Sequence, residues 1–154
     1  MTVDPFGPWR GAPMDDDAVD DLLRSAGWGV VSLADADEPY SVPISFGYDG
    51  EDVYFGFLRT GGGSRKAEYV ADGKTARLLV TDVRARFDWR SVAVTGPVQA
   101  VDWNGDGWET LVDLLEENPW FSSRFTDADS VEGVQGWRLR PDEVSGLAIR
   151  PDRE

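Results

Sequence analysis

Between residues 28 and 58 the chain reads WGVVSLA, a polar DADE, YSVPISFGY, the pair Asp49-Gly50 and then DVYFGFL. Three apolar, β-branched and aromatic stretches follow one another with only turn residues between them, which is the signature of an antiparallel meander. The pattern resumes with TARLLVTDV and the long FDWRSVAVTGPVQAV, and GWRLR and EVSGLAI close the chain. Six or seven short strands without regular strand–helix alternation predict an all-β, closed or nearly closed antiparallel barrel. About three short helices flank it. The first spans residues 15–26, where Asp15 or Asp16 caps the start, Val19, Leu22, Leu23 and Ala26 share one face, and Gly27 ends it. A second is expected at residues 64–71 and a third at 108–117, stopped by Pro119.

The chain has 154 residues, enough for one compact domain with a real core. Residues 1–14, rich in proline and glycine, are expected to form a loosely held arm, and residues 15–154 the domain. Pro43 lacks a ladder donor, so its strand is expected at an edge or bulge. Either its backbone faces a ligand there, or the proline only blunts an edge.

Charge and missing residue types bound the chemistry. Asp and Glu number 29 against 15 Lys and Arg, giving a formal charge of -14, with no cysteine and no histidine. Disulfides, thiolate nucleophiles, iron–sulfur clusters, and Ser-His-Asp or Cys-His hydrolysis are thereby excluded. A surface this acidic repels nucleic acid. Its expected meaning is solubility at high salt, as in a halophile. No apolar run approaches the roughly 20 residues of a membrane span, and residues 1–13 lack the basic start and apolar centre of a secretion signal, so a cytoplasmic protein is expected.

Two motifs stand out. GGGSRKAEYV, residues 61–70, places Arg65 and Lys66 behind three glycines and Ser64, although the chain has only two lysines. Strand, glycine loop and helix start in succession free several backbone N–H groups, and a cation pair beside them makes a phosphate cradle. A flexible glycine turn whose cations pair with surface carboxylates would give the same letters. The stretch is no Walker loop, because Ala67 follows the lysine. In DWNGDGWETLVD, Asp102, Asn104, Asp106, Gly107 and Asp113 fall at EF-hand positions. The preceding strand, the short twelfth ligand and Glu109 at the usual apolar eighth position favour a strand-to-helix turn without metal.

The order of these pieces, PYSVPISFGYDGEDVYFGFLRTGGGSRKAEYVADGKTARLLVTD followed by RSVAVTGPVQAV, resembles the pyridoxamine 5'-phosphate oxidase-related, FMN-binding split-barrel family. The likeness covers about residues 22–101, with a weaker echo in GWRLRPDEVSG, and is strongest to short members similar to nitroimidazole-resistance-type flavoproteins. It implies a six- or seven-stranded split barrel with FMN as cofactor. By the same resemblance Ser64, Arg65 and Lys66 would hold the flavin phosphate. The main chain of Ser41, Val42, Pro43, Ile44 and Ser45 would meet the edge of the flavin ring, and Phe55 and Phe57 would line the floor. Ser91 would reach the ring. Trp137 resembles an aromatic contributed by the partner subunit, or is a core tryptophan.

The family builds its sites between two chains, so a homodimer with two symmetric sites is implied. The arginine, intervening residue and histidine that help hold substrate in pyridoxamine phosphate oxidases are absent, which argues against vitamin B6 synthesis. The resemblance therefore implies an FMN-dependent oxidoreductase acting on a small molecule, with NADH or NADPH as a possible hydride source. A deazaflavin-dependent reductase, a non-catalytic flavin carrier or sensor, and a structural dimer without cofactor are the alternatives. No residue is singled out as catalytic.

Overall fold

A computed structural model describes residues 9–58, 71–102, 104–120 and 134–150. Within them lie eight strands and two helices: β1 (Ala12–Pro13), α1 (Asp16–Ala26), β2 (Trp28–Asp35), β3 (Glu38–Tyr48), β4 (Val53–Leu58), β5 (Thr75–Ala85), β6 (Asp88–Val101), α2 (Trp108–Glu116), β7 (Val134–Leu139) and β8 (Glu143–Ile149). The helix expected at residues 64–71 falls outside the described residues.

The sheet runs β1-β8-β6-β5-β2-β3-β4-β7, and β7 returns to pair with β6. Six antiparallel strands, β2 to β7, thus close a barrel, with β8 and β1 added along the flank of β6. The closure depends on the length of β6. Trp89 to Thr95 of β6 face β8 on one edge and β5 on the other, whereas Val98 to Val101 turn to β7. At the opposite side the barrel opens. β3 pairs with β4 only through Phe46, Gly47 and Tyr48, while β4 stays with β7 along its whole length.

Alternation fills the interior. Val31 and Leu33 of β2, Phe46 of β3, Val53, Phe55 and Phe57 of β4, Leu78 and Val80 of β5, Val92, Val94 and Val98 of β6, and Trp137 and Leu139 of β7 form one buried cluster. Leu22 and Leu23 of α1 pack into it. The Asp15 carboxylate accepts from Ala18 N–H at 2.8 Å to start α1, Asp16 and Asp17 sit at the positive end of its dipole, and Gly27 ends it at φ 78°. On the outside of the barrel Leu111 and Leu115 of α2 bury Tyr54 in a second cluster.

The described part of the N-terminal arm, residues 9–14, departs from expectation. Ala12 and Pro13 pair with Ala148 and Leu147 of β8, Met14 N–H donates to Gly146 C=O at 2.9 Å, and Trp9 stands edge-on to Phe87 at 5.2 Å. Residues 9–14 are therefore tied down. They cover a strand that would otherwise present an open edge, and Pro13 is tolerated because β1 is itself an edge.

Candidate functional site

The open side of the barrel exposes the main chain of β3. Phe46 N–H donates to Gly27 C=O at 3.0 Å, in the same register that pairs Trp28 with Ser45 through Asp35 with Glu38. In an antiparallel ladder the peptide groups of successive residues point to opposite edges. Tyr40, Val42 and Ile44 therefore direct theirs at β2, and Pro39, Ser41, Pro43 and Ser45 direct theirs away from it. β4 takes up that outward edge only where its pairing begins, beside Ser45 and Phe46, and none of the described strands pairs with it from Pro39 to Pro43, so both prolines fall where a missing N–H costs no ladder bond. What remains is a line of carbonyl acceptors with N–H donors at Ser41 and Ser45 only. Pro43 is at an edge, as its sequence position predicts.

Side chains alternate the other way. Tyr40, Val42 and Ile44 pack against the core cluster, and Ser41 and Pro43 are exposed on the outer face. Ser41 and Ser32 share a hydroxyl–hydroxyl hydrogen bond of 2.9 Å across β2 and β3, and Ser45 Oγ donates to Trp120 C=O at 3.2 Å. Ser91 lies opposite Thr81 of β5 and belongs to the same outer face. Three strand spacings separate it from β3, about 14 Å. Ser41, Pro43 and Ser45 are thus brought together, and Ser91 shares their face without being their neighbour. Phe55, Phe57 and Trp137 are interior residues, the two phenylalanines edge-to-face at 5.5 Å. For Trp137 this is the core placement. Ser64, Arg65 and Lys66 lie outside the described residues.

Two features were not read from the sequence. Asn118 is the buried polar residue among those described, at 7% exposure. Its Nδ2 donates to Gly27 C=O at 2.6 Å and Phe46 C=O at 2.9 Å, and its Oδ1 accepts from Trp120 N–H at 2.8 Å. One side chain thereby fixes the end of α1, the end of the exposed stretch of β3 and the chain beyond α2. Beside it a cleft of about 280 Å³ opens between the C-terminal ends of α1 and α2, lined among others by Arg24, Tyr48, Leu114 and Glu117. Arg24 is held there by Asp20 at 2.7 Å and lies 5.6 Å from the centre of the Tyr48 ring.

Electrostatics near the β5–β6 hairpin centre on Asp82. A hydrogen bond from Arg90 at 2.7 Å, with Arg84 at 3.4 Å, holds its carboxyl below the ordinary range. Asp52 shifts the other way, raised by partial burial and then by the charge of Asp49. The EF-hand look-alike forms a turn, with Gly105 N–H donating to Asp102 C=O at 2.9 Å and Gly107 at φ 89° leading into α2. Among the described residues no three acidic side chains converge on a metal-sized position.

This closed six-strand barrel with an open β3 edge can be compared with known proteins. The family model for pyridoxamine 5'-phosphate oxidase matches residues 15–148, nearly the whole chain. The chain belongs to the pyridoxamine 5'-phosphate oxidase family. No curated protein matches it significantly. Solved structures share the fold at low identity. An FAD-binding protein from Mycobacterium smegmatis is 19% identical at a TM-score of 0.67, over 92% of this chain and 100% of that one. A candidate 5-nitroimidazole antibiotic resistance protein from Bacteroides thetaiotaomicron is 19% identical at 0.66, over 92% and 90%. An FAD-binding protein from Mesorhizobium loti is 18% identical at 0.64, over 88% and 96%. Among the described residues no helix is long and apolar enough to cross a membrane.

Proposed function

We propose that the protein is a flavin-binding oxidoreductase, holding FMN between two copies of the chain and acting on a small molecule. The observation that carries this is the outward main chain of β3, where the Pro43 carbonyl stands next to the Ser45 N–H in sequence order on the same edge. The pyrimidine edge of a flavin offers one N–H donor between two carbonyl acceptors. A strand edge that is unpaired among the described residues and alternates acceptor and donor fits it. Ser64, Arg65 and Lys66 would hold the phosphate by charge-assisted hydrogen bonds. When bound, the flavin supplies the hydride and electron transfer that a chain without histidine or cysteine does not. The chain's own part is to bind the phosphate, orient the ring along β3 and exclude water with the apolar outer face.

The second copy enters through Ser91. At about 14 Å from β3 within one chain, it is too far to touch the same ring, so a role for Ser91 requires a partner. Structural relatives named as FAD-binding proteins support a flavin ligand, and FMN and FAD share the phosphate that the Ser64 to Lys66 motif addresses.

Titrating FMN and riboflavin into flavin-free protein tests the proposal. FMN should bind more tightly than riboflavin, and Lys66→Ala should weaken FMN roughly ten- to a hundredfold, the equivalent of about 1.5 to 3 kcal/mol for one charge-assisted bond. Equal affinity for the two compounds would overturn the phosphate assignment.

A further inference from the structure

Polar side chains flank an apolar row on the outer face: Ser91 and Thr81 lie on one side of it, and a row that holds an arginine lies on the other. Register places Thr95 of β6 opposite Arg77 of β5, Arg77 opposite Ser32 of β2, and Ser32 opposite Ser41 of β3. Residues directly opposite across antiparallel strands project to the same side, so all four side chains share the outer face. The next row along the strands is apolar, with Ala93, Leu79, Val30 and Pro43 in the same order.

Arg77 is exposed, and among the described residues it has neither an ion pair nor a hydrogen bond. Arg86, Arg138, Arg140 and Arg150 also lack an ion pair among the described residues, but none of them lies on β2, β3, β5 or β6, so Arg77 is the cation that this row offers. Arg24, Arg84, Arg90 and Lys74 are each paired with a carboxylate. Carboxylates are not far away, since Glu143 of β8 lies opposite Thr95 in the same row. Thr95 separates it from Arg77. On the other flank of Arg77 come two hydroxyls already hydrogen-bonded to each other at 2.9 Å, and beyond them the outward N–H of Ser41, on an edge with which none of the described strands pairs there. Strands about 4.8 Å apart put Ser32 under the reach of the Arg77 side chain. A planar guanidinium matches an oxyanion through paired donors, and hydroxyls complete its shell.

We infer that Arg77, Ser32 and Ser41 form an oxyanion subsite, and that the substrate of the flavin site carries a carboxylate or phosphate which this row holds. The inference rests on the flavin proposal only for the word substrate. Its geometry places the bound anion beside Ser41, on the strand whose edge is assigned to the flavin ring, so Arg77 acts as a positioning and specificity residue. The acidic surroundings make the selection sharper: apart from the proposed Ser64, Arg65 and Lys66 cradle an anion gains little on this surface, and a neutral analogue would leave Arg77 unmatched.

Calorimetric titrations at constant low ionic strength, with inorganic phosphate and with acetate as probes, test this on the wild type, Arg77→Ala, Arg77→Lys and Lys66→Ala. At least one probe should bind saturably, and the stronger one identifies phosphate or carboxylate as the group preferred. Arg77→Ala should weaken it tenfold or more, Arg77→Lys should fall between because a point charge loses the paired donors, and Lys66→Ala should leave this binding in place. In the flavin-loaded protein the same probe should shift the visible bands of the wild type and not those of Arg77→Ala. The inference is overturned if no probe saturates, if Lys66→Ala abolishes binding that Arg77→Ala retains, or if Arg77→Ala separates a dimer without changing probe affinity, which would make the partner chain the counter-ion. Should the protein take up no flavin, the flavin proposal falls by itself, while the calorimetry still decides the oxyanion subsite.

Discussion

Asn118 shows how one side chain can set the geometry of a site it does not enter. Its partners Gly27 and Phe46 are 91 and 72 positions away in the chain, so no local pattern points to it. An asparagine ahead of a proline at a helix end looks like any stop signal. Pro43 is the contrary case, because a residue without an N–H states its own requirement for an unpaired edge. Asn118→Ala would remove the side-chain partner of Phe46 C=O and Trp120 N–H, while Gly27 C=O keeps Phe46 N–H, and a loss of about 1–3 kcal/mol is expected in urea unfolding; a change below about 0.5 kcal/mol would show that water replaces the side chain without cost. Asp82 gives a prediction in pH. Its folded-state carboxyl is held low chiefly by the Arg90 hydrogen bond, so the stabilisation is present above the ordinary carboxylate range and disappears as pH falls through the lowered value. The pair is exposed enough that its contribution is about 0.2–1 kcal/mol at neutral pH, less with salt. Melting curves of Asp82→Asn against wild type should differ slightly at pH 7 and converge on acidification. A gap that widened on acidification would reverse the assignment.

Among the elements, those carrying their own start, stop and period were legible in the sequence. α1 has its capping aspartate and terminal glycine, and β2, β3 and β4 alternate between short turns. β1 was missed because two residues have no period, and their strand conformation is supplied by β8. The double pairing of β6 was also invisible, since a continuous apolar run does not say where one neighbour is exchanged for another. Gly96 marks the place. The link from β7 to β8 crosses it there, Arg140 N–H donating to Pro97 C=O at 3.0 Å and Asp142 N–H to Thr95 C=O at 2.8 Å. A Cβ on Gly96 would run into the carbonyl of Arg140, which is main chain and has no rotamer to escape into. Gly96→Ala should therefore cost about 1–3 kcal/mol or more through forced backbone shifts. Gly105→Ala, where the nearest atom is at an ordinary 3.4 Å, serves as the control and should change stability by less than about 0.5 kcal/mol. Equal melting temperatures for the two variants would mean that the crossover relaxes freely.

For the protein as a whole, fold class and family were legible in the sequence because strand order, turn chemistry and the Ser64 to Lys66 motif agree. The face on which a site would assemble was not, because it is made by register across β8, β6, β5, β2 and β3. That face leaves Leu79 at 40%, Trp28 at 44%, Leu147 at 45% and Val83 at 71% exposure. Side chains of this size in one patch are costly to leave in water, at about 25 cal/mol per Å² of apolar surface. A second copy is the proposed cover, and it is also what brings Ser91 to a ring seated on the first copy's β3. The charge of -14 opposes such pairing at low ionic strength, since two like-charged chains must approach, and screening within about 10 Å at 0.1 M salt relieves it. The expectation is a dimer that tightens from low to molar potassium chloride, as the proposed adaptation of the surface to high salt also requires. Its flavin should be lost as the dimer is diluted apart, because a ligand that binds only the assembled form stabilises it by mass action. Light scattering and flavin fluorescence, followed together on dilution at two salt concentrations, measure both effects. Val83→Asp with Leu79→Asp should give a folded monomer whose flavin affinity falls in step with its loss of association. A monomer that bound FMN as tightly as wild type would end the shared-site proposal, and Ser91 would then have no route to the ring.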